Sequence, residues 1–323
     1  MKNKLILFVS SNLFIGAAFH MMYLKVNQNA YISIILGTLL GILNIYIFNK
    51  LKNKNNNNIF FKVLFILFNL YIILLTLTII PLFVNYFYLV ESPKWLILTP
   101  FLGVSMYIAY KGKNTLCKLS NLVFIINIFL ILTTFLLLTG NFKLENILPI
   151  LDTSSMNIFK TSIIYSSFSS IPIITTINYG NDSSSNYKLY ILSSFILLII
   201  SLATTLSLGP DLITTYSFPS YMVLKKINIL DFIENIENFL AYIWYFNFII
   251  TLAISSLNIK ESVNNNKFLY YIIILFIYYL SSNIFGEHYS YTKYIFDIFP
   301  VVSYSFLGII VIYILINRKT NNQ

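Results

Sequence analysis

The sequence contains few charged side chains. Charged residues make up 10% of the chain and hydrophobic residues 58%, whereas an ordinary soluble domain has about 25% charged residues. A chain of this composition cannot cover its surface with polar groups in water, so lipid must cover it instead. The composition therefore excludes an ordinary soluble domain and predicts an all-α polytopic membrane protein.

Cysteine and histidine are also scarce. Cys117 is the only cysteine, and His20 and His288 are the only histidines. One cysteine cannot form a disulfide framework or a cysteine-based zinc site, and two histidines so far apart in sequence do not suggest a metal site. No Gly-rich nucleotide-binding loop and no nucleophile–base pair occurs within a hydrophobic segment. We expect no cofactor, no metal and no enzymatic activity.

The formal net charge of +10 could indicate binding to nucleic acid, but the arrangement of the charges argues against it. Twenty of the 21 basic residues are lysines, and they lie in short loops between hydrophobic segments. A nucleic-acid-binding protein would instead cluster them on one face. We therefore expect the partner of this chain to be the lipid bilayer and not a nucleic acid.

Ten hydrophobic segments are long enough, or nearly so, to cross a membrane, which takes about 20 apolar residues. The first begins like a signal peptide, but its apolar run continues past Ala18 to Tyr23, which favours a retained segment. We number the segments 1 to 10, at about 5–24, 30–48, 60–88, 95–110, 119–139, 158–178, 188–208, 237–258, 268–285 and 295–316.

The basic residues alternate between the two sides of the predicted membrane. With the N-terminus in the cytoplasm, 14 of them fall in inner segments and seven in outer segments. Cytoplasmic loops carry the excess of lysine and arginine, and losing one segment would disturb the alternation downstream. The bias predicts ten spans with both termini in the cytoplasm.

Polar residues interrupt segments 1 and 6 near their middles. In segment 6, four serines precede Pro172, which removes a backbone donor and clashes with the preceding turn. In segment 1, Ser10, Ser11 and Asn12 precede a Gly-Ala-Ala sequence. Such interruptions suit either a serine-stabilised proline kink or a broken helix around a midplane ligand site. Matching breaks in segments 1 and 6 favour two inverted repeats of five helices, at about 5–139 and 158–316, in a single domain of residues 1–323.

The middles of the segments lack ionisable side chains. We find no Asp, Glu, Lys or Arg at the centre of any segment, although charges at that depth usually mark function. Strong proton coupling through a buried carboxylate is therefore not expected. Facilitated diffusion, or sodium coupling through carbonyls and hydroxyls, stays open.

The stretch from the end of segment 7 into segment 8 is distinctive. Residues 209–244 read GPDLITTYSFPSYMVLKKINILDFIENIENFLAYIW, in which Leu224, Ile227 and Glu234 stand at helical spacing and predict a surface amphipathic helix. This stretch resembles the spore germination permease family, the B subunit of GerA-type germinant receptors. Residues 29–33, 107–124 and 141–151 are also similar to that family. The matching motif residues are Gly209, Pro219, Asp231, Glu234, Glu237 and Trp244.

The resemblance implies a fold and a role. The family belongs to the amino acid–polyamine–organocation superfamily, with two inverted five-helix repeats and broken helices 1 and 6. It senses small germinants, commonly amino acids, in the inner membrane of bacterial spores, with an A subunit and a lipoprotein C subunit. The germinant would be held by main-chain groups at the two breaks, beside Phe14, Gly16, Ala17, Ala18, Ser166, Ser167, Ser169 and Ser170.

The chain departs from many relatives in two segments. Segment 6 is rich in serine and lacks the Gly-Glu pair that many relatives carry, and segment 8 has Asn247 and Thr251 where many carry a lysine. The sequence leaves three candidate functions: a germinant-sensing subunit, a conventional secondary amino acid transporter of the cytoplasmic membrane, and a membrane enzyme or lipid-handling protein. The residues favour the first and give least support to the third, because no catalytic residues gather in the segments.

Overall fold

The structure is a computed structural model that describes residues 4–12, 18–51, 59–179, 183–227, 237–238, 241–284 and 289–320. Within these ranges the chain forms helices and connecting turns and no β-strand. All ten hydrophobic segments are helical where they are described. Their helices are, in order, Leu5–Asn12 with Phe19–Val26, Ala30–Leu51, Ile59–Phe87, Lys94–Lys111, Lys113–Leu138, Ser155–Ser169 with Ile171–Tyr179, Ser183–Leu208, Tyr242–Ser262, Lys267–Tyr279 with Leu280–Ile284, and Tyr289–Thr320.

Six helical stretches are long and apolar enough to cross a membrane: Phe19–Asn49, Ile59–Phe87, Lys113–Asn141, Asn186–Leu208, Tyr242–Ser262 and Phe296–Tyr313. The first of these is two helices, because Asn27 has a φ of 46° and separates Phe19–Val26 from Ala30–Leu51. An L-residue with positive φ cannot continue an α-helix. The protein is therefore an all-helical, multi-pass membrane protein, and the count of ten crossings stays a prediction.

Short helices make up the loops at the ends of the segments. They are Asn27–Asn29, Thr139–Asn141, Leu144–Ile147, Pro210–Thr215, Pro219–Met222 and Leu224–Lys226. The amphipathic surface helix predicted after segment 7 is wrong for residues 224–227. Leu224 begins a single 3₁₀ turn, Ile227 is extended, and both side chains are buried against the protein. Residues 228–236 lie outside the described residues.

The segments pack against one another in matched pairs. Segment 1 contacts segment 7, and segment 6 contacts segment 2. Segments 4 and 5 both contact segment 8, and segments 9 and 10 both contact segment 3. Segments 3 and 8 contact each other, as do segments 1 and 6. If each of segments 1–5 is exchanged with the segment five places later in the chain, every contact named here becomes another contact named here.

Contacts between loops agree with the predicted alternation across the membrane. On the side predicted to be inner, Lys62 Nζ donates to Asn264 Oδ1 over 3.3 Å, and Lys260 Nζ donates to the carbonyl of Ala109 over 3.2 Å. On the side predicted to be outer, Gln28 Nε2 donates to the carbonyl of Pro149 over 3.0 Å. Each of these bonds joins residues that the sequence assigns to the same side.

Segments 2, 6 and 7 approach closely at two glycines of segment 2. A Cβ atom on Gly37 would lie 2.7 Å from the carbonyl oxygen of Ser162, and one on Gly41 would collide with the hydroxyl of Tyr190. Tyr190 is fully buried and shares a 3.0 Å hydrogen bond with Ser169 Oγ, so it cannot move without losing that bond. Small residues four apart let membrane helices approach closely, and Gly37 and Gly41 have that spacing in segment 2.

We expect Gly41→Ala to destabilise the protein by about 1–3 kcal/mol, because overpacking a well-filled interior costs that much. Thermal unfolding of the purified protein would show a lowered melting temperature. Gly103→Ala and Gly308→Ala are matched controls, since an added Cβ meets nothing within 4 Å at either position. Adding Tyr190→Phe to Gly41→Ala should recover part of the loss. Equal melting temperatures for Gly41→Ala and the controls would contradict the close approach.

Candidate functional site

Segment 6 changes its helical form in the middle, where the sequence predicted an interruption. The α-helix ends at Ser169, and a 3₁₀-helix runs from Ile171 to Tyr179. Pro172 lies at the start of the second part, where it has no backbone N–H to donate and its ring would clash with a continuing α-turn. The change frees main-chain groups inside the protein, and these must find other partners.

The four predicted serines of segment 6 lie at this change, and all four are fully buried. Each hydroxyl donates to a carbonyl one turn earlier: Ser166 to Ile163, Ser167 to Ile164, Ser169 to Tyr165 and Ser170 to Ser166, over 2.6–2.9 Å. Hydroxyl bonds of this kind compete with the backbone ladder and often bend helices. The serines therefore contribute directly to the interruption.

Three of these serines also tie segment 6 to its neighbours. Ser166 Oγ lies 2.6 Å from the hydroxyl of Tyr304 in segment 10, and Asn44 Nδ2 in segment 2 donates to Ser170 Oγ over 2.9 Å. Ser169 shares its bond with Tyr190 in segment 7. The serine hydroxyls are therefore engaged within the protein and link segment 6 to segments 2, 7 and 10.

On segment 1, the structure describes part of the predicted site. Ala18 is fully buried at the start of Phe19–Val26, whereas Phe14, Gly16 and Ala17 lie outside the described residues. Before them, Ser10 Oγ donates to Ser193 Oγ in segment 7 over 2.6 Å. This bond joins segments 1 and 7, and the Asn44–Ser170 bond joins segments 2 and 6.

A further amide group binds the second part of segment 6. Asn258 Nδ2, in segment 8, donates to the carbonyl oxygen of Thr175 over 2.8 Å and to Asn69 Oδ1 in segment 3 over 3.1 Å. All three residues are buried. Sequence reasoning missed this contact, because no pattern in the sequence pairs Asn69 with Asn258, 189 residues later.

The described motif residues of the outer loop have structural roles. Gly209 has a φ of 81°, and a Cβ there would lie 3.1 Å from Asn146 Oδ1, so glycine suits both its backbone and its surroundings. Pro219 begins the short helix Pro219–Met222, and Glu237 and Trp244 are buried. Asp231 and Glu234 lie outside the described residues.

A cluster of aromatic rings holds this loop against segments 3 and 8. Phe83 is at its centre, with ring centroids 4.6 Å from Trp244, 5.1 Å from Tyr221 and 5.5 Å from Phe218. The hydroxyls of Tyr88 and Tyr221 are 2.8 Å apart, and Tyr221 donates to Asn238 Oδ1 over 3.2 Å. Burial raises the pKa of Tyr221. We call these rings the outer aromatic cluster.

A cavity of about 120 Å³ lies on another side of segment 1, bounded by segments 5, 7 and 8 and by the outer loop. Trp244 and Asn247 are part of its wall, as are Ser11 and Phe19, which precede and follow the undescribed residues of segment 1. None of the four serines of segment 6 lines it. Sequence reasoning did not predict this cavity, although Asn247 in its wall is one of the two segment 8 residues singled out in the sequence.

The chain is similar over most of its length to proteins of one kind. A family model described as spore germination protein matches residues 2–290. Two Bacillus subtilis (strain 168) proteins whose names refer to spore germination are also similar. YfkT is 24% identical over 234 residues, which cover 67% of this chain and 65% of YfkT. YndE is 24% identical over 190 residues, which cover 55% of this chain and 52% of YndE. The chain thus spans between about half and two thirds of these relatives.

We expect Phe83→Ala to loosen the outer loop, because removing a buried phenylalanine from a packed cluster costs about 3–5 kcal/mol. Hydrogen exchange followed by mass spectrometry should show faster exchange in residues 216–224, with little change in the helix Ser183–Leu208. Phe129→Ala is the matched control, since Phe129 is 65% exposed on segment 5. Equal exchange in both variants would show that the cluster does not hold the loop.

Proposed function

The chain belongs to the spore germination protein family, and we propose that it is the permease-like subunit of a germinant receptor. It binds a small germinant, an amino acid, in the inner membrane of a bacterial spore, and it triggers germination with an A subunit and a lipoprotein C subunit. The observation that carries this proposal is the family match over residues 2–290 of the 323. The amino acid and the two partner subunits follow from what the family resemblance implies.

The proposed fold has ten spans in two inverted repeats, 5–139 and 158–316. The contacts between the two halves support it, because exchanging segments 1–5 with segments 6–10 in an inverted repeat converts these contacts into one another. The Ser10–Ser193 bond joins segments 1 and 7, and the Asn44–Ser170 bond joins segments 2 and 6, which are two segment pairs that this exchange interconverts. We place both termini in the cytoplasm on the strength of the lysine bias. A reporter fused after residue 323 that is active only outside the cell would overturn that orientation.

The germinant site of this proposal lies between the interruptions of segments 1 and 6, near Phe14–Ala18 and Ser166–Ser170. Support comes from the change of helical form in segment 6, which frees main-chain groups where a ligand's ammonium and carboxylate could bind. Because the serines bond to segments 2, 7 and 10, a ligand that shifts segment 6 would also shift these contacts. Differential binding to the two arrangements would then convert ligand binding into a signal.

The second candidate is a conventional secondary amino acid transporter, which the interrupted segment 6 also suits. The two functions differ in what the chain does by itself. Purified chain in vesicles should not accumulate labelled amino acids if it is a receptor subunit. Robust uptake without any partner would favour transport.

We expect Ser166→Leu and Ser169→Leu to shift the germination response to higher germinant concentration, by tenfold or more. Each change removes a bond between segments and adds bulk where no space exists, which alters the balance between arrangements. Dose–response curves of spores carrying each variant would measure the shift, and membrane fractions would confirm insertion. Ser155→Leu is the matched control, because Ser155 is exposed at the start of the same helix. Unchanged dose–response curves for both variants would contradict the proposed germinant site.

A further inference from the structure

The loop between segments 5 and 6 exposes several large apolar side chains. Four of them lie close together in sequence and are more than half exposed: Leu144 (78%), Leu148 (57%), Ile150 (55%) and Leu151 (61%). A single exposed apolar residue is ordinary, but a group of them marks contact with another protein or with a membrane. We call these four residues the 144–151 patch.

Hydrogen bonds to the turn between segments 1 and 2 hold the patch in place. The N–H of Leu151 donates to Asn29 Oδ1 over 3.1 Å, and Gln28 Nε2 donates to the carbonyl of Pro149 over 3.0 Å. Both Asn29 and Gln28 are buried. Leu151 has a φ of 63°, which costs free energy for a residue with a Cβ atom, so the bond to Asn29 stabilises a strained backbone. These bonds therefore keep the patch at the surface.

The same loop lies at the depth where a helix leaves the membrane. The N–H of Lys143 donates to the carbonyl of Leu206 over 3.1 Å, and Asn146 Nδ2 donates to the same carbonyl over 2.7 Å. Leu206 is in the last turn of the helix Ser183–Leu208, and this helix is long and apolar enough to cross a membrane. The loop is therefore bonded to the end of a span, at the level of the lipid headgroups.

The patch continues an exposed apolar face along the chain on both sides. Only 22% of the most apolar stretch of Lys113–Asn141 is buried inside the protein, so lipid must cover the rest. Near its end Leu132 and Leu136 are 59% and 68% exposed, and at the start of segment 6 Met156 and Phe159 are 60% and 50% exposed. The patch lies between two faces of this kind, which favours lipid as the material that covers it.

The charged residues around the patch limit how deeply it can enter a bilayer. Lys143 and Lys160 are exposed before and after it, and lysine side chains bury their aliphatic part while the ammonium reaches the headgroups. Glu145 and Asp152 are exposed in the same loop, and their carboxylates must stay hydrated. Aliphatic side chains below and charges above suit shallow insertion at the boundary of headgroups and acyl chains.

We propose that the 144–151 patch is a lipid-contact site, in which Leu148, Ile150 and Leu151 insert between acyl chains of the adjacent leaflet while Lys143 and Lys160 contact headgroup phosphates. Segment 6 begins its helix at Ser155, four residues after the patch, so this contact fixes the end of segment 6 against the bilayer. The inference is independent of the germinant site, and its test does not involve germination.

Single labelled cysteines test this directly, because Cys117 is the only cysteine of the chain and is buried. In Cys117→Ser protein in lipid nanodiscs, Ile150→Cys is labelled with a fluorophore. Glu145→Cys is the matched control, since Glu145 is charged and exposed on the same loop. Phe129→Cys marks the middle of a span, where Phe129 is 65% exposed. Quenching by iodide reports contact with water, and quenching by lipids spin-labelled on an acyl chain reports contact with lipid.

We expect iodide to quench the label at Ile150 about fivefold less than the label at Glu145, because hydrocarbon excludes the ion. A spin label near the glycerol end of the acyl chain should quench the Ile150 label more than one near the middle of the chain, and this order should reverse at Phe129. Adding Asn29→Ala removes the acceptor of the Leu151 N–H, so iodide quenching at Ile150 should rise about twofold as the loop loosens. Asn157→Ala is its control, because Asn157 is exposed at the start of segment 6.

Three results would overturn the proposal. Equal iodide quenching at Ile150 and Glu145, without quenching by spin-labelled lipid, would show that the patch faces water and is open to a protein partner. A label at Ile150 that neither iodide nor spin-labelled lipid quenches would show that protein covers it. Stronger quenching at Ile150 by the spin label in the middle of the chain would contradict shallow insertion. The comparison of Ile150 with Glu145 needs no change at Asn29, so it stands even if Asn29→Ala protein fails to fold.

Discussion

Backbone N–H and C=O groups within hydrocarbon have no water to bond with, so the chain itself must supply a partner for each one that leaves a regular helix. Segment 6 depends on such partners, because Pro172 prevents a continuous α-helical ladder of hydrogen bonds through it. Serine hydroxyls bond the carbonyls before the interruption, and Asn258 bonds the carbonyl of Thr175 after it. Segment 8 supplies the second of these partners through Asn258, whereas segments 2, 7 and 10 bond the serine hydroxyls themselves.

Much of this arrangement could be predicted from the sequence. Hydropathy located the ten helical segments to within a few residues at most ends, and Pro172 with its serines located the interruption. The spacing of Gly37 and Gly41 is typical of close helix packing, although it does not identify the partner helix. These features are local, since each depends on residues within one or two turns of a single helix.

The partners could not be predicted, because they depend on which helices meet. Ser166 could bond a ligand, its own helix or another segment, and only the fold brings Tyr304 to it. Asn127 and Asn247 are 120 residues apart, and no pattern in the sequence pairs them. The surface helix predicted for the outer loop was wrong because Leu224 and Ile227 face the protein and not the membrane surface. Helical spacing of apolar residues indicates a buried stripe, but it does not exclude short turns that bury the same side chains.

The outer aromatic cluster has a thermodynamic consequence for any ligand that approaches from the outer side. With Phe83, Phe218, Tyr221 and Trp244 packed together, the described outer ends of segments 3 and 8 are closed in this arrangement. A ligand that requires an open arrangement would bind with its intrinsic affinity reduced by the fraction of molecules that are open. Each 1.4 kcal/mol of stability in the cluster then lowers the apparent affinity about tenfold. The rings would thus tune the sensitivity of the protein without touching the ligand.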